Sequence, residues 1–241
     1  MGKNMVFVPE CHSTNSLALE MSQKRDLVEG TLIITGHQTQ GRGQRGNAWL
    51  SEHGKNLTFS LVLRPAMITI ADQFTLNMAV SVGIRSFLEG ALNRPVYIKW
   101  PNDILVDDLK VCGILIENQI QGNSLLQSIV GIGLNVNQSV FSIAHAASMQ
   151  MLMGREYDLN EILETLCASL EQWYLMLSRE PDKIKEAYHA SLYGLNAPRN
   201  FSTPQDRFEG VIRGVDAQGR LTLATSSGIR HFRNRELKFE Y

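Results

Sequence analysis

The run Gly41-Arg42-Gly43-Gln44-Arg45-Gly46, followed by Trp49, sets two arginines in a backbone that can approach phosphates closely. Further along, Lys99-Trp100-Pro101-Asn102-Asp103 and Lys110-Val111-Cys112-Gly113 bring lysines and an aspartate. Guanidinium groups clamp anions with two parallel hydrogen bonds, and an ammonium group acts as a compact point charge. Joined to a lysine and an aspartate, a cationic glycine-rich loop suits a site holding a nucleoside triphosphate beside a carboxylate. The chemistry this allows is acyl-adenylate formation. Pro101 forces a turn just past a strand and exposes Asn102 and Asp103. A turn at Asp107-Asp108-Leu109 then brings Lys110 back beside them.

Two other loop chemistries fail on their own requirements. Gly41-x-Gly43-x-x-Gly46 formally fits a dinucleotide fingerprint and follows a strand, but no helix opens after Gly46. Leu61-Val62-Leu63-Arg64-Pro65 stands where an acidic ribose ligand is needed. A phosphate-binding loop of the G-x-x-x-x-G-K-[ST] kind is absent. Trp49 at the loop's exit either packs in the core or covers an aromatic ring or apolar ligand.

The elements that must position these groups read as α+β. Ser13-Thr14-Asn15-Ser16 precedes Leu17, Leu19 and Met21, a capped helix to about Lys24. Thr31 to His37 is β-branched and apolar, a buried strand that feeds the glycine-rich loop. Leu57 to Leu63 is the next strand, and Asp72 to Leu92 is a buried helix with Asp72 as its cap. Residues 97–100, 104–106, 111–117 and 125–135 read as successive strands, with Leu109-Lys110 and Gln121-Gly122-Asn123 as turns. Helices follow at residues 148–153 and 159–177, and the stretch from Tyr188 to Asn196 ends the helical part. From Phe208 to Tyr241, alternation with Gly-bearing turns predicts a small β-barrel. The expected division is 1–196 for the main domain and 197–241 for the β module.

Bulk properties narrow the function classes. The 241 residues carry 23 basic and 24 acidic side chains, a net charge of −1. That balance lacks the basic excess of a nucleic-acid binder. No apolar run approaches the ~20 residues of a membrane helix, and no signal peptide is visible. Three cysteines with no C-x-x-C pair fit reduced thiols in a cytoplasm and give no sulfur-held metal site.

These motifs, taken in order, resemble the biotin protein ligases: Ser13-Thr14-Asn15, Gln38 to Trp49, Lys99 to Asp103, Lys110 to Glu117, Gly131 to Asn135 and the C-terminal β module. The resemblance implies the short form of the family, a mixed sheet flanked by helices with an SH3-like C-terminal barrel. It also implies ATP and biotin as substrates, with Mg²⁺ bridging phosphates and no dedicated metal cage. The product would be biotinyl-5′-AMP, whose biotin passes to one lysine of a carboxyl carrier protein in an acetyl-CoA or related carboxylase.

On the biotin side the resemblance places Ser13, Thr14, Asn15, Gln38, Gly41, Arg42, Gly43, Lys110, Gly113 and Ile114. On the nucleotide side it places Arg45, Trp49, Asn102, Asp103 and Asn135. Lys110, Arg42 and Asp103 are the expected catalytic groups, with Asp103 also accepting a proton from the incoming lysine. Lys238 and Arg213 are candidates for helping with ATP or the carrier.

Two departures from the family pattern carry expectations. Gln44 and Asn47 stand where the family has arginines, so the adenylate should escape faster. Ser13 leaves no room ahead of it for a helix-turn-helix, so no operator binding is expected. A homodimer through strands near Leu125 to Leu134 is compatible with the sequence. The rival assignments are a lipoate ligase or octanoyltransferase, and a non-catalytic biotin sensor; the retained Lys110 and Asp103 speak against the sensor.

Overall fold

The structure is a computed structural model, described for residues 1–24, 26–122 and 124–240. A seven-stranded mixed sheet is its frame. In chain order its strands are β1 (Met5–Cys11), β2 (Leu32–Gln38), β3 (Leu57–Leu63), β4 (Val96–Lys99), β5 (Asp103–Val106), β6 (Leu109–Gln121) and β7 (Ser124–Leu134). In space they run β1-β2-β3-β7-β6-β5-β4. Helix α1 (Thr14–Lys24) links the parallel pair β1 and β2; the pairings from β2 through to β4 are antiparallel.

Strand alternation assigns the two faces different work. Phe59 and Leu61 of β3, with Val130 and Ile132 of β7, join the main core under α2 (Phe74–Leu92) and α4 (Leu159–Arg179). The intervening residues turn to the face that α1 covers, where Ala18, Leu27, Ile33, Val62 and Ile129 form a smaller apolar cluster. Beyond that cluster the same face carries Ser60, Gly113, Glu117, Gly131 and Gly133. An apolar patch would continue there had the sequence not switched to small and polar residues.

The remaining helices are α3 (Met149–Met153), capped by Ser148, and α5 (Pro181–Ala190). Asp158 caps α4 by accepting from Asn160 and Glu161 N–H. Among the described residues no helix is long and apolar enough to cross a membrane.

Several expectations shift. Asp72 does not cap α2: it closes a short 3₁₀ turn, Ile70–Asp72, whose cap is Thr69, and Gln73 precedes the helix without a side-chain cap. The hairpin between β5 and β6 turns on Asp107 and Asp108, both at positive φ (48° and 65°), while Leu109 and Lys110 already belong to β6. Two successive positive-φ residues suit a two-residue hairpin whose turn matches strand twist. The other expected turn includes Asn123, outside the described residues. Strand β1 and helix α5 from Pro181 were not visible in the periodicity.

The C-terminal part is a five-stranded antiparallel sheet: β8 (Pro198–Ser202), β9 (Arg207–Val215), β10 (Leu221–Thr225), β11 (Gly228–Phe232) and β12 (Lys238–Phe239). Its order is β11-β10-β9-β8-β12. Its buried Phe201, Ile212, Leu223 and Leu237 belong to the same core cluster as the main sheet. The turn after β9 docks on the main body, where Trp100 Nε1–H donates to the Gly219 carbonyl at 3.0 Å. Gly219 sits at φ +77°, and a Cβ there would come within 2.5 Å of the Phe74 ring, so only glycine allows this approach.

Candidate active site

The sequence motifs converge on one cavity of about 390 Å³, between the α1 face of the sheet, the glycine-rich loop and the edge of the C-terminal sheet. Its floor is a polar network. Ser60 is fully buried, and its Oγ lies 2.6 Å from Asn15 Oδ1 and 2.8 Å from Thr14 Oγ1. Asn15 Nδ2 donates to Glu117 Oε2 at 2.7 Å and to the Leu115 carbonyl at 3.2 Å. Gln38 Oε1 accepts from the Thr14 backbone N–H at 2.8 Å. This ties the first turn of α1 to β2, β3 and β6. Buried polar groups without partners would cost about 1–3 kcal/mol each, so this network fixes the floor's shape.

Beside that floor lies a notch. Gly113 and Gly133 are direct cross-strand partners on β6 and β7. With no side chain on either, the Trp49 indole packs directly against both positions: a Cβ at Gly133 would stand 2.3 Å from the ring, and one at Gly113 3.1 Å. The buried Trp49 Nε1–H has no hydrogen-bond partner among the described residues. Trp49 therefore forms a wall of the cavity over the Gly113–Gly133 notch.

The rim is ionic. Lys110 Nζ stands 2.7 Å from Asp103 Oδ1, 3.4 Å from the Cβ position of Gly113 and 5.8 Å from the Trp49 ring centroid. Both groups are partly exposed, at 36% and 23%. Arg42, also in the lining, pairs with Glu117 at 2.8 Å. Asn102 is fastened to β6, donating from Nδ2 to the Ile114 carbonyl at 2.8 Å and accepting from the Ile114 N–H at 3.0 Å. Leu237, Lys238 and Phe239 of the C-terminal part complete the lining, with Lys99 Nζ 5.1 Å from the Phe239 ring centroid.

Of the residues read from the sequence, Ser13, Thr14, Asn15, Gln38, Arg42, Gly43, Trp49, Asn102, Asp103, Lys110, Gly113 and Ile114 line this cavity. Asn15 lines it with its polar atoms already committed to Ser60, Leu115 and Glu117, so it shapes the floor. Gly41 and Asn135 are not among the lining residues. Asn135 is buried, and its Nδ2 turns to the Ala147 carbonyl at 3.1 Å and the Lys110 carbonyl at 3.5 Å, so it steadies the strand bearing Lys110. The side chain of Arg45 lies outside the described residues. Arg213 donates to Asn196 Oδ1 and does not line the cavity, whereas Lys238 does.

Sequence reasoning gave no role to Ser60, Glu117 or Phe239. The fixed spacing of Glu117 from Lys110 was available as a signal; nothing local marked Ser60. Cys112, beside Lys110, is fully buried and burial pushes its thiol far up, so it is an inert neutral thiol.

A polar floor, a glycine notch and two cations, Lys110 and Arg42, give the cavity the chemistry to hold an anionic small molecule. Comparison with known proteins reaches the same place independently. Residues 8–135 match the model of the biotin/lipoate A/B protein ligase family. The bifunctional ligase/repressor BirA of Bacillus subtilis is 30% identical over 236 residues, covering 95% of this chain and 72% of that protein. A biotin–[acetyl-CoA-carboxylase] ligase of Paracoccus denitrificans is 30% identical over 224 residues, 90% of this chain and 92% of its own. Among solved structures, the Aquifex aeolicus biotin protein ligase in complex with biotin and ATP superposes with a TM-score of 0.81 at 25% identity, covering 99% of each chain. The motifs, the fold and the relatives agree: this chain belongs to the biotin/lipoate A/B protein ligase family.

Proposed function

We infer that this chain is a biotin protein ligase. It joins the carboxylate of biotin to the α-phosphate of ATP, releasing pyrophosphate, and passes the biotinyl group from biotinyl-5′-AMP to a lysine of a carboxyl carrier protein, releasing AMP. The carrier belongs to an acetyl-CoA carboxylase or a related enzyme. The observation that carries this reading is that Lys110 and Arg42 line one cavity together with the glycine notch, Lys110 Nζ standing 3.4 Å from the Cβ position of Gly113.

When a carboxylate attacks an α-phosphate, negative charges are forced together, and fixed cations stabilise that arrangement more than any proton transfer does. Lys110 is held at the notch by Asp103, and Arg42 is held by Glu117; ligand anions replace these carboxylates as partners. In the second half-reaction the attacking amine must be neutral. Asp103 can then take its proton as the carbonyl–nitrogen bond forms and AMP leaves.

Asp103 is the carboxylate among the lining residues, and no group of three His, Cys, Asp or Glu gathers to hold a metal among the described residues. Asp103 would be in reach of a Mg²⁺ ion carried in with the nucleotide, and such an ion would supply neutralisation of phosphate charge. The C-terminal unit, 197–241, closes the nucleotide side through Lys238 and Phe239. Free thiols at Cys11, Cys112 and Cys167 support a reducing compartment such as the cytoplasm.

The test is biotin-dependent ATP–pyrophosphate exchange in the wild type and in Lys110→Ala. Exchange with biotin but not lipoate, collapsing in the variant, is the expected result. Biotin binding without exchange would overturn the ligase reading in favour of a sensor.

A further inference from the structure

The glycine-rich loop is a small self-bonded unit. Trp49 N–H donates to the Gly41 carbonyl at 2.9 Å, and Gly43 N–H to the Asn47 carbonyl at 2.7 Å. Such a unit can swing as a body, so what holds it over the cavity are its outward contacts. One is the Arg42–Glu117 ion pair, which a ligand anion competes for. Another lies at the tip: Gln44 Oε1 accepts a 2.5 Å hydrogen bond from Nδ2 of Asn234, in the segment between β11 and β12. This contact involves no charge, so it survives the arrival of phosphates.

Asn234 stands on a firm frame. Its neighbour Arg233 donates its backbone N–H to Glu236 Oε2 at 2.8 Å, and Glu236 N–H returns to the Arg233 carbonyl. The C-terminal sheet is in turn fastened to the main body by the Trp100–Gly219 bond and by Phe74 against Gly219. Beneath the bridge, a second cavity of about 410 Å³ runs along this seam and shares Gln44 and Pro101 with the active-site lining. The loop tip thus spans the gap between two bodies at the point where the active site opens into it.

We propose that Asn234 is a positioning residue: through Gln44 it latches the glycine-rich loop to the C-terminal sheet and sets how long the activated acid is retained. The retention half rests on the adenylating function proposed above. The latch itself does not. A side-chain amide pair in place of an arginine–phosphate contact makes closure a property of the protein alone, present before any ligand binds.

Two measurements separate these parts. Hydrogen exchange of residues 41–49 in the ligand-free protein reads the latch, and the escape rate of biotinyl-AMP formed on the enzyme reads retention. In Asn234→Ala, loop exchange rises and escape quickens about three- to ten-fold, the range of one neutral hydrogen bond, at low and high salt alike. Asn234→Asp restores both, because its carboxylate accepts from the Gln44 amide. Should Asn234→Ala fail to fold, Gln44→Ala removes the same contact from the loop side. Unchanged loop exchange overturns the latch, and faster exchange with unchanged escape overturns its role in retention. A wild type that forms no adenylate overturns the proposed function, while the exchange arm still decides the latch.

Discussion

On the floor of the cavity, Ser60, Thr14 and Asn15 are at most 3% exposed and hydrogen-bonded to one another, to β2 and to β6. On the rim, Arg42, Lys110 and Asp103 are 45%, 36% and 23% exposed and ion-paired, Lys110 with Asp103 and Arg42 with Glu117. The contrast is between groups that can keep only one set of partners and groups that can trade them. A buried neutral network is costly to leave unsatisfied, so it fixes shape. A half-exposed ion pair is worth little to stability, about 0–1 kcal/mol, because solvent screens it. In the proposed function its members would therefore exchange a protein carboxylate for a phosphate at small cost. Shape comes from the floor and chemistry from the rim.

The largest effect is expected of Lys110→Ala. Removal of a fixed cation from the developing charge should lower biotin-dependent pyrophosphate exchange by about 100-fold or more. Stability should change by no more than about 1 kcal/mol, read from urea unfolding. A large loss of stability in this variant would show that the rim also holds the fold.

The floor should give the opposite pattern. Asn15→Leu keeps the volume but removes the donors to Glu117 and to the Leu115 carbonyl, and the Oδ1 partner of Ser60. The expected cost is about 1–3 kcal/mol in unfolding free energy, with exchange activity falling as well. Intact stability with lost activity would make Asn15 a ligand-contacting group and erase the distinction between the two regions.

The same distinction governs what the sequence displayed. The rim was legible, because arginines among glycines and a lysine and aspartate around Pro101 announce anion chemistry by residue type alone. The central strands were legible too: β3 runs over residues 57–63 as its apolar pattern says. The floor was not. Ser60 is an unremarkable serine in a strand until register sets it beside Asn15, 45 residues away. Asn135 carried the right motif, yet the fold turns its amide to Ala147 and Lys110. Strand β1 escaped notice because it is an edge strand whose exposed positions Met5 and Phe7 are apolar like the half-buried Val6 and Val8 between them, so residue type does not alternate even though burial does. The Asp72 cap failed for a local reason, since Thr69 closes a 3₁₀ turn just before α2 begins.

Gln44→Arg adds a charge to the rim. It forfeits a neutral hydrogen bond to Asn234, worth about 0.5–1.5 kcal/mol, but adds a cation whose bond to phosphate is worth about 1.5–3 kcal/mol. The charge wins, and biotinyl-AMP should escape several-fold more slowly. The gain should shrink as salt rises, which separates it from the salt-insensitive loosening expected of Asn234→Ala. An unchanged escape rate would mean that the loop tip lies too far from the phosphates for its charge to matter.

The smallest effect expected lies in the seam that carries the C-terminal sheet. Asp216 accepts from the Arg220 backbone N–H at 2.9 Å, Arg220 Nε at 2.7 Å and the Gln218 N–H at 3.0 Å, bracing the turn that presents Gly219 to Trp100. Partial burial pushes the Asp216 carboxyl up, but the Arg220 bonds and charge, with the Gln218 N–H, outweigh it and leave the pKa below the usual aspartate value. A depressed folded-state pKa means the stabilisation is complete above the unfolded value of about 3.9 and disappears as pH falls through the lower folded one. Asp216→Asn should therefore melt below wild type at neutral pH, with the gap closing only in acid, below about pH 4. His231 Nδ1, 3.5 Å from the same carboxylate, is a further charge partner wherever it is protonated. A gap that closes on the alkaline side instead would mean that the turn is braced by something other than the ionised carboxylate. The seam would then behave like the floor, held by neutral contacts alone.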